Sequence, residues 1–397
     1  MLAKLSNFVA GGGIWMNTQR PEWNDANNAL AGWGLSVVTV AYLRRYLAFF
    51  DGILRETGDA ISLSPAVETF ATELTGALEG LPVKDDAARF AVMTALGRAG
   101  EKHRAAVYQS RLGEPRSVAV AEIRRWLAAA TRAVDGTLEA NRRDDGTFHS
   151  YNLLEITGDR AGVRHLSLML EGQVAVLSSG LLSPADSLAL LLALRQSDLF
   201  RADQHSYLLY PDRPVAPFLS RNVLPAGWED RVPAVARLVQ QGDRSLIAVD
   251  AAGAAHFNGD LANAAALESR LDACIRKSAG DEKLNHDRTA LLELWESVFH
   301  HSAFTGRSGS MFAFEGLGSI YWHMIAKLLL AAEECHRAAV AGNASAEIIT
   351  GLRAAYYDIR RGLGFTKTPE VYGAFPTDPY SHTPRHMGAQ QPGMTGQ

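Results

Sequence analysis

The sequence predicts a mainly α-helical protein built from helical hairpins, and three observations carry that prediction. Apolar residues recur at helical spacing through nearly every long segment, as in Ile123, Trp126, Leu127, Ala130 and Val134. Helix-start signals stand before such segments, Ser64-Pro65 and Asp85-Asp86 being the clearest. The connections are short and irregular, and one stretch, Ser245 to Asn258, is β-branched and turn-rich enough to read as a small β-hairpin. This alternation suits hairpins closing into a toroid. Periodicity alone does not separate a toroid from a solenoid, although no fixed-length repeat of the solenoid kind is present.

A chain of 397 residues holds one large or two ordinary domains, and 47% apolar with 21% charged residues is a globular composition. A formal net charge of −4 gives no electrostatic reason to expect a nucleic-acid partner. The apolar run from Leu35 to Phe50 is interrupted by Arg44-Arg45 and is short for a membrane span, and Met1 to Ala10 lacks a signal-peptide core. The only cysteines, Cys274 and Cys335, have no partner at metal-ligand spacing, so no metal site is expected. Idle thiols suit a reducing compartment, and a cytoplasmic location is the expectation.

Taken in order, the first chemistry lies at Thr18 to Ala29, between Gly11-Gly12-Gly13 and an apolar helix. It contains Arg20, Glu22, Trp23, Asn24, Asp25 and Asn28 within a few residues. Glu22 and Asp25 flank Trp23 and sit where a helix N-terminus would polarise them. A carboxyl group desolvated beside an indole holds its proton towards neutral pH and serves as a general acid, and the indole offers a flat face to a sugar ring. The plain alternative is that Asp25 or Asn24 caps the helix. Leu35 to Leu54 is apolar nearly all round, which predicts a helix buried on most sides and a rigid mount for Asp25. Amphipathic helices follow from Ser64 to Arg104 and from Val118 to Ala140, where the spacing of Trp126 makes it a core residue.

Helical periodicity stops at Asn141 to Asn152, a loop carrying Asp145-Gly146 and then His149-Ser150-Tyr151. A second loop after the predicted helix Pro184 to Gln196 repeats His205-Ser206-Tyr207. Both read as ligand-facing loops with Tyr151 and Tyr207 as binding candidates, or as polar connections with satisfied histidines. Helical periodicity returns at Leu261 and from Asp287 to Phe299. His300 to Ser310 is glycine-rich and basic, so that its N–H groups with Arg307 suit an anion. It is neither a Walker loop nor a zinc signature. Glu315 follows, and Tyr321-Trp322-His323 opens a strongly apolar helix. The tail from Gly364 carries five prolines between Pro369 and Pro392, which rules out a helix and suggests an extended segment over a cavity mouth.

Trp23-Asn24-Asp25 resembles the Asp-Trp-Asn-Asp loop of the family 94 glycoside phosphorylases, which work on an (α/α)6 toroid. The resemblance implies that Asp25 is the general acid and that Trp23 contacts the sugar whose bond is broken. Glu22 stands where the family has Asp. Tyr321-Trp322-His323 is similar to the aromatic-His element at the start of a late barrel helix, making His323 a phosphate ligand. Thr395-Gly396 is a counterpart of the family's Thr-Gly phosphate element. The expected fold is therefore an (α/α)6 toroid-like barrel, incomplete in its walls, over residues 1–363, with the acid loop at 18–29 and a helical insertion at about 63–285. Residues 364–397 form the extended segment over its mouth. Family members place further domains before the acid loop, so the chain is expected to be the carboxy-terminal part of a longer protein.

The expected activity is phosphorolysis of an oligosaccharide with inversion, using inorganic phosphate as co-substrate and no cofactor. Two alternatives stay open: an inverting hydrolase in which Glu315 activates water about 6.5–9.5 Å from Asp25, and a helical sugar-binding domain without turnover, in which Trp23 or Trp322 stacks a sugar.

Overall fold

The computed structural model describes residues 1–17, 30–211, 218–278, 281–299 and 320–365. The chain divides into two compact units, one holding the described residues 1–17, 30–211 and 320–365, the other 218–278 and 281–299.

The first unit contains a five-stranded antiparallel sheet, and this overturns the expectation of a mainly α toroid. Strands β1 (Phe8–Val9), β2 (Gly13–Trp15) and β3 (Gly34–Ser36) lie beside β6 (Tyr151–Thr157) and β7 (Arg160–His165) in the order β1-β2-β3-β6-β7. Ser36 pairs with Tyr151 and Leu35 with Asn152, so the sheet joins residues more than a hundred positions apart. The first three strands are too short to show a period of two, and the burial of β6 runs continuously from Tyr151 to Leu154 before ending in exposed residues. A further two-stranded ribbon pairs β4 (Ala60–Leu63) with β5 (Arg116–Ala119).

Helices cover the sheet. Val37–Arg55 starts from Ser36, whose Oγ accepts the Thr39 N–H at 3.0 Å, and it packs against the amphipathic helix Val120–Glu139. Trp126 is buried in the core of that second helix, as its spacing predicts. Pro65–Leu78 and Asp86–Tyr108 start at the expected caps, Ser64 and Asp85. Leu170–Ser178 lies between Val37–Arg55 and Trp322–Ala341 and is buried on every side from Leu170 to Leu177.

Val37–Arg55 and Leu170–Ser178 run side by side in the same direction. Val37 N–H and Gly172 N–H both reach Ser150, at 3.0 and 2.8 Å, at one end. Further along, the Arg44 and Arg45 guanidinium groups donate to the Ser179 and Ser178 carbonyls, and Cys335 Sγ lies 3.5 Å from Leu177 O. A cavity of about 530 Å³ at the C-terminal end is lined by Gly180, Leu182, Arg337, Ala338 and Ala341. The starts of Val37–Arg55 and Leu170–Ser178 therefore meet at the opposite end, at Ser150.

In the second unit, helix Pro233–Gln240, the hairpin β10 (Ile247–Val249) and β11 (Ala255–Phe257), and helices Ala264–Lys277 and Arg288–Phe299 share a core. The hairpin falls within the predicted Ser245–Asn258 stretch. Trp295 packs its ring 4.9 Å from Phe257 and 4.4 Å from Phe299. The buried Asp287 carboxylate accepts from Ala234 N and Val235 N at 2.7 and 3.1 Å, satisfying the first turn of Pro233–Gln240.

Candidate active site

The starts of Val37–Arg55 and Leu170–Ser178 are organised by one serine. Ser150 Oγ donates to the Met169 carbonyl (3.1 Å) and accepts from Gly172 N, while its own carbonyl accepts from Val37 N. Ser150 thus holds the first turns of two helices together. A Cβ on residue 172 would fall 2.3 Å from that hydroxyl, so only glycine permits the approach.

The next residue brings the chemistry. Tyr151 OH donates to Glu171 Oε2 at 2.7 Å, and Glu171 is only 6% exposed in the first turn of Leu170–Ser178. A carboxylate there is stabilised by the positive end of the helix dipole. Helix Trp322–Ala341 opens on Trp322, buried at its first position, and on an exposed His323 whose ring lies 5.2 Å from that of Tyr321. An acidic acceptor, a phenol, aromatic surface and helix N–H groups are the components that bind sugar hydroxyls and small anions.

Behind this end lies a polar chain that fixes the sheet. His165 Nδ1–H donates to Asn152 Oδ1 (2.8 Å), and the Asn152 amide donates to Asn141 Oδ1 (2.8 Å) and Gly12 O (2.6 Å). Asn141 continues it to Thr137 O and Gly11 O. His149 stacks on His165 at 4.1 Å and donates through Nδ1 to Leu166 O. Burial, and then the neighbouring His165, lower the His149 pKa to about 4. Asp145 is held down at about 2: burial opposes its charge, and bonds from Arg143 and Thr147 overcome that opposition.

Tyr207 has different company. It lies in β9 (Ser206–Tyr207), which pairs with β8 (Phe200–Arg201), and packs edge-on against Phe200 at 5.3 Å. Burial, then the charge of Asp358, raises its phenol well above the ordinary range. His205 Nε2 bonds Asp358 at 2.9 Å, and Arg195 bonds the other oxygen of the same carboxylate at 3.1 Å.

Arg20, Glu22, Trp23, Asn24, Asp25 and Asn28, together with Arg307, Glu315, Thr395 and Gly396, lie outside the described residues. Sequence reasoning overlooked Glu171. The signal was available, since Glu171 and Gln173 are polar residues inside the apolar run from Leu166 to Leu177. Gln173 answers with three bonds, accepting from Phe148 N and donating to Phe148 O and Met169 O. Among the described residues no group of three or more His, Cys, Asp or Glu is placed to hold a metal, and no helix is long and apolar enough to cross a membrane.

A family model described as GH149 phosphorylase insertion domain 2 matches residues 215–302, which include the described part of the second unit. No curated protein matches the chain. The match supports a carbohydrate-phosphorylase-like function in general terms, and it points to glycoside phosphorylases without singling out family 94.

Proposed function

We propose that this chain takes part in inverting phosphorolysis of an oligosaccharide. The observation that carries the reading is the match of residues 215–302 to a phosphorylase insertion domain. Two features of the first unit support it: the Tyr151–Glu171 pair beside the joined starts of Val37–Arg55 and Leu170–Ser178, and the exposed His323.

In this mechanism Asp25, as the carboxylic acid, gives its proton to the glycosidic oxygen while a phosphate oxygen attacks the anomeric carbon from the opposite face. The C–O bond breaks, and a sugar 1-phosphate of inverted configuration and a sugar shortened by one unit leave. Asp25 is left as carboxylate and regains its proton from solvent. In this reading Trp23 stacks the sugar being transferred, and Arg20, Glu22, Asn24 and Asn28 bond its hydroxyls. The candidate phosphate ligands are His323, Arg307 and the Thr395-Gly396 backbone, as the resemblance to family 94 implies.

The test is to incubate the chain with phosphate and a panel of oligosaccharides and to follow sugar 1-phosphate. The expected result is phosphate-dependent release, lowered about 10²–10⁴-fold by Asp25→Asn. Reducing sugar released at the same rate without phosphate would overturn the proposal in favour of hydrolysis through Glu315.

A further inference from the structure

Trp33 is 55% exposed at a place where the backbone has little freedom. Its N–H donates to Leu30 O at 3.2 Å, and its carbonyl accepts from Leu154 N at 2.7 Å. On either side of it, Gly32 N–H donates to Met16 O (2.6 Å) and Met16 N–H donates to Gly34 O (2.8 Å), while Trp15 Nε1–H donates to Gly32 O at 3.0 Å. Gly32 takes φ +98°, and a Cβ on residue 34 would fall 2.4 Å from the Leu30 side chain, so both positions call for glycine. The indole is thus presented to solvent from a fixed turn, and a ligand that stacks on it has no backbone left to order.

Two further observations identify the ligand. The bonds from Met16 to Gly32 and Gly34 close the neck of the loop 18–29, so Trp33 stands at the foot of that loop. Trp23, assigned above to the transferred sugar, is six positions along from Asn17, and covalent reach keeps it within about 21 Å of the neck. An oligosaccharide of a few units spans that distance. Across the neck, next to Met16, Asn17 is exposed and its Nδ2–H donates to Asn7 Oδ1 at 2.6 Å, which holds the carboxamide in place. An indole face takes the C–H side of a pyranose ring, and a carboxamide beside it takes the hydroxyls. Resting on the phosphorolysis argued above, we propose that Trp33, with Asn17, binds an outer sugar unit of the oligosaccharide, beyond the two units joined by the bond that is cleaved.

Calorimetric titration with gluco- and chito-oligosaccharides of two to six units tests this without requiring turnover. In the parent chain affinity rises with length. Trp33→Ala removes that rise, about tenfold for the longest chains, and leaves disaccharide binding and the unfolding midpoint unchanged. Trp33→Phe, which keeps a ring, retains part of the gain, and Asn17→Ala loses a smaller part. Tyr108→Ala, at a ring 80% exposed at the end of helix Asp86–Tyr108, leaves the gain whole. Affinity independent of length, a rise that survives Trp33→Ala, or equal losses for short and long chains overturns the proposal, as does no binding of any oligosaccharide. Sugar 1-phosphate release by the parent chain is followed in parallel. Its absence, alongside a length-dependent affinity that Trp33→Ala abolishes, overturns the phosphorolysis and leaves the sugar site standing.

Discussion

The chain contains His-Ser-Tyr twice, at 149–151 and at 205–207, and the two copies have almost nothing in common once folded. Ser150 is bonded on both sides and ties two helix starts together, whereas Ser206 Oγ is equally buried and has no hydrogen-bond partner among the described residues. His149 stacks neutral on another histidine; His205, in a left-handed backbone at φ 47°, binds a carboxylate it shares with Arg195. Tyr151 meets the acid Glu171, while Tyr207 meets the ring of Phe200. A tripeptide fixes donors and acceptors, and the elements packed against it decide whether they are used. Even the glycines that press on the two copies differ in what they touch: Gly172 meets the Ser150 side chain and Gly362 the His205 carbonyl.

The contrast is sharpest at the residue after the first copy. Asn152→Leu leaves Gly12 O, Asn141 Oδ1 and His165 Nδ1–H without their partner, and chemical unfolding is expected to show a loss of about 3–5 kcal/mol. A loss under about 1 kcal/mol would mean the polar chain does not organise the sheet.

Next come the two glycines. A Cβ would lie 2.3 Å from Ser150 Oγ at residue 172 and 2.1 Å from His205 O at residue 362. Gly172→Ala and Gly362→Ala are each expected to cost about 2–3 kcal/mol in the same measurement, through overpacking. The serines then separate the copies directly: Ser150→Ala should cost about 1–2 kcal/mol, and Ser206→Ala should stay within about 0.5 kcal/mol. Equal costs would dissolve the comparison.

The smallest expected effect is on pH dependence. His149 titrates near 4 in the folded chain and near 6.5 when unfolded, so below 6.5 the unfolded chain binds the proton first. Its contribution is complete above about 6.5 and is lost as pH falls from there towards 4. Thermal melts across that window should fall less steeply for His149→Gln than for the parent chain, and identical slopes would remove the histidine stack as the cause.

Local signals were legible wherever the physics is local. Ser64 and Asp85 cap helices because a short acceptor side chain reaches the third residue on, whatever the rest of the chain does. The Ile123–Val134 face and the hairpin around Asp250-Gly253 follow in the same way from periodicity and turn chemistry. The sheet was not legible, because β1, β2 and β3 have two or three residues each and owe their conformation to partners such as β6. Nor was the exposure of Tyr42, Tyr46 and Phe49 on Val37–Arg55, whose composition alone reads as buried all round.

By itself, then, the sequence determined where helices start, which faces are apolar, and the polar loop around Trp23 and Asp25 that resembles a phosphorylase acid loop. Only tertiary structure decided that Tyr151 would face Glu171, that one serine would anchor two helices while its twin had no hydrogen-bond partner among the described residues, and that Tyr42, Tyr46 and Phe49 would remain exposed. The reason is range. Caps and amphipathic faces are set by neighbours within a turn, whereas the use of a hydroxyl or carboxylate depends on groups that the chain brings together across a hundred residues or more.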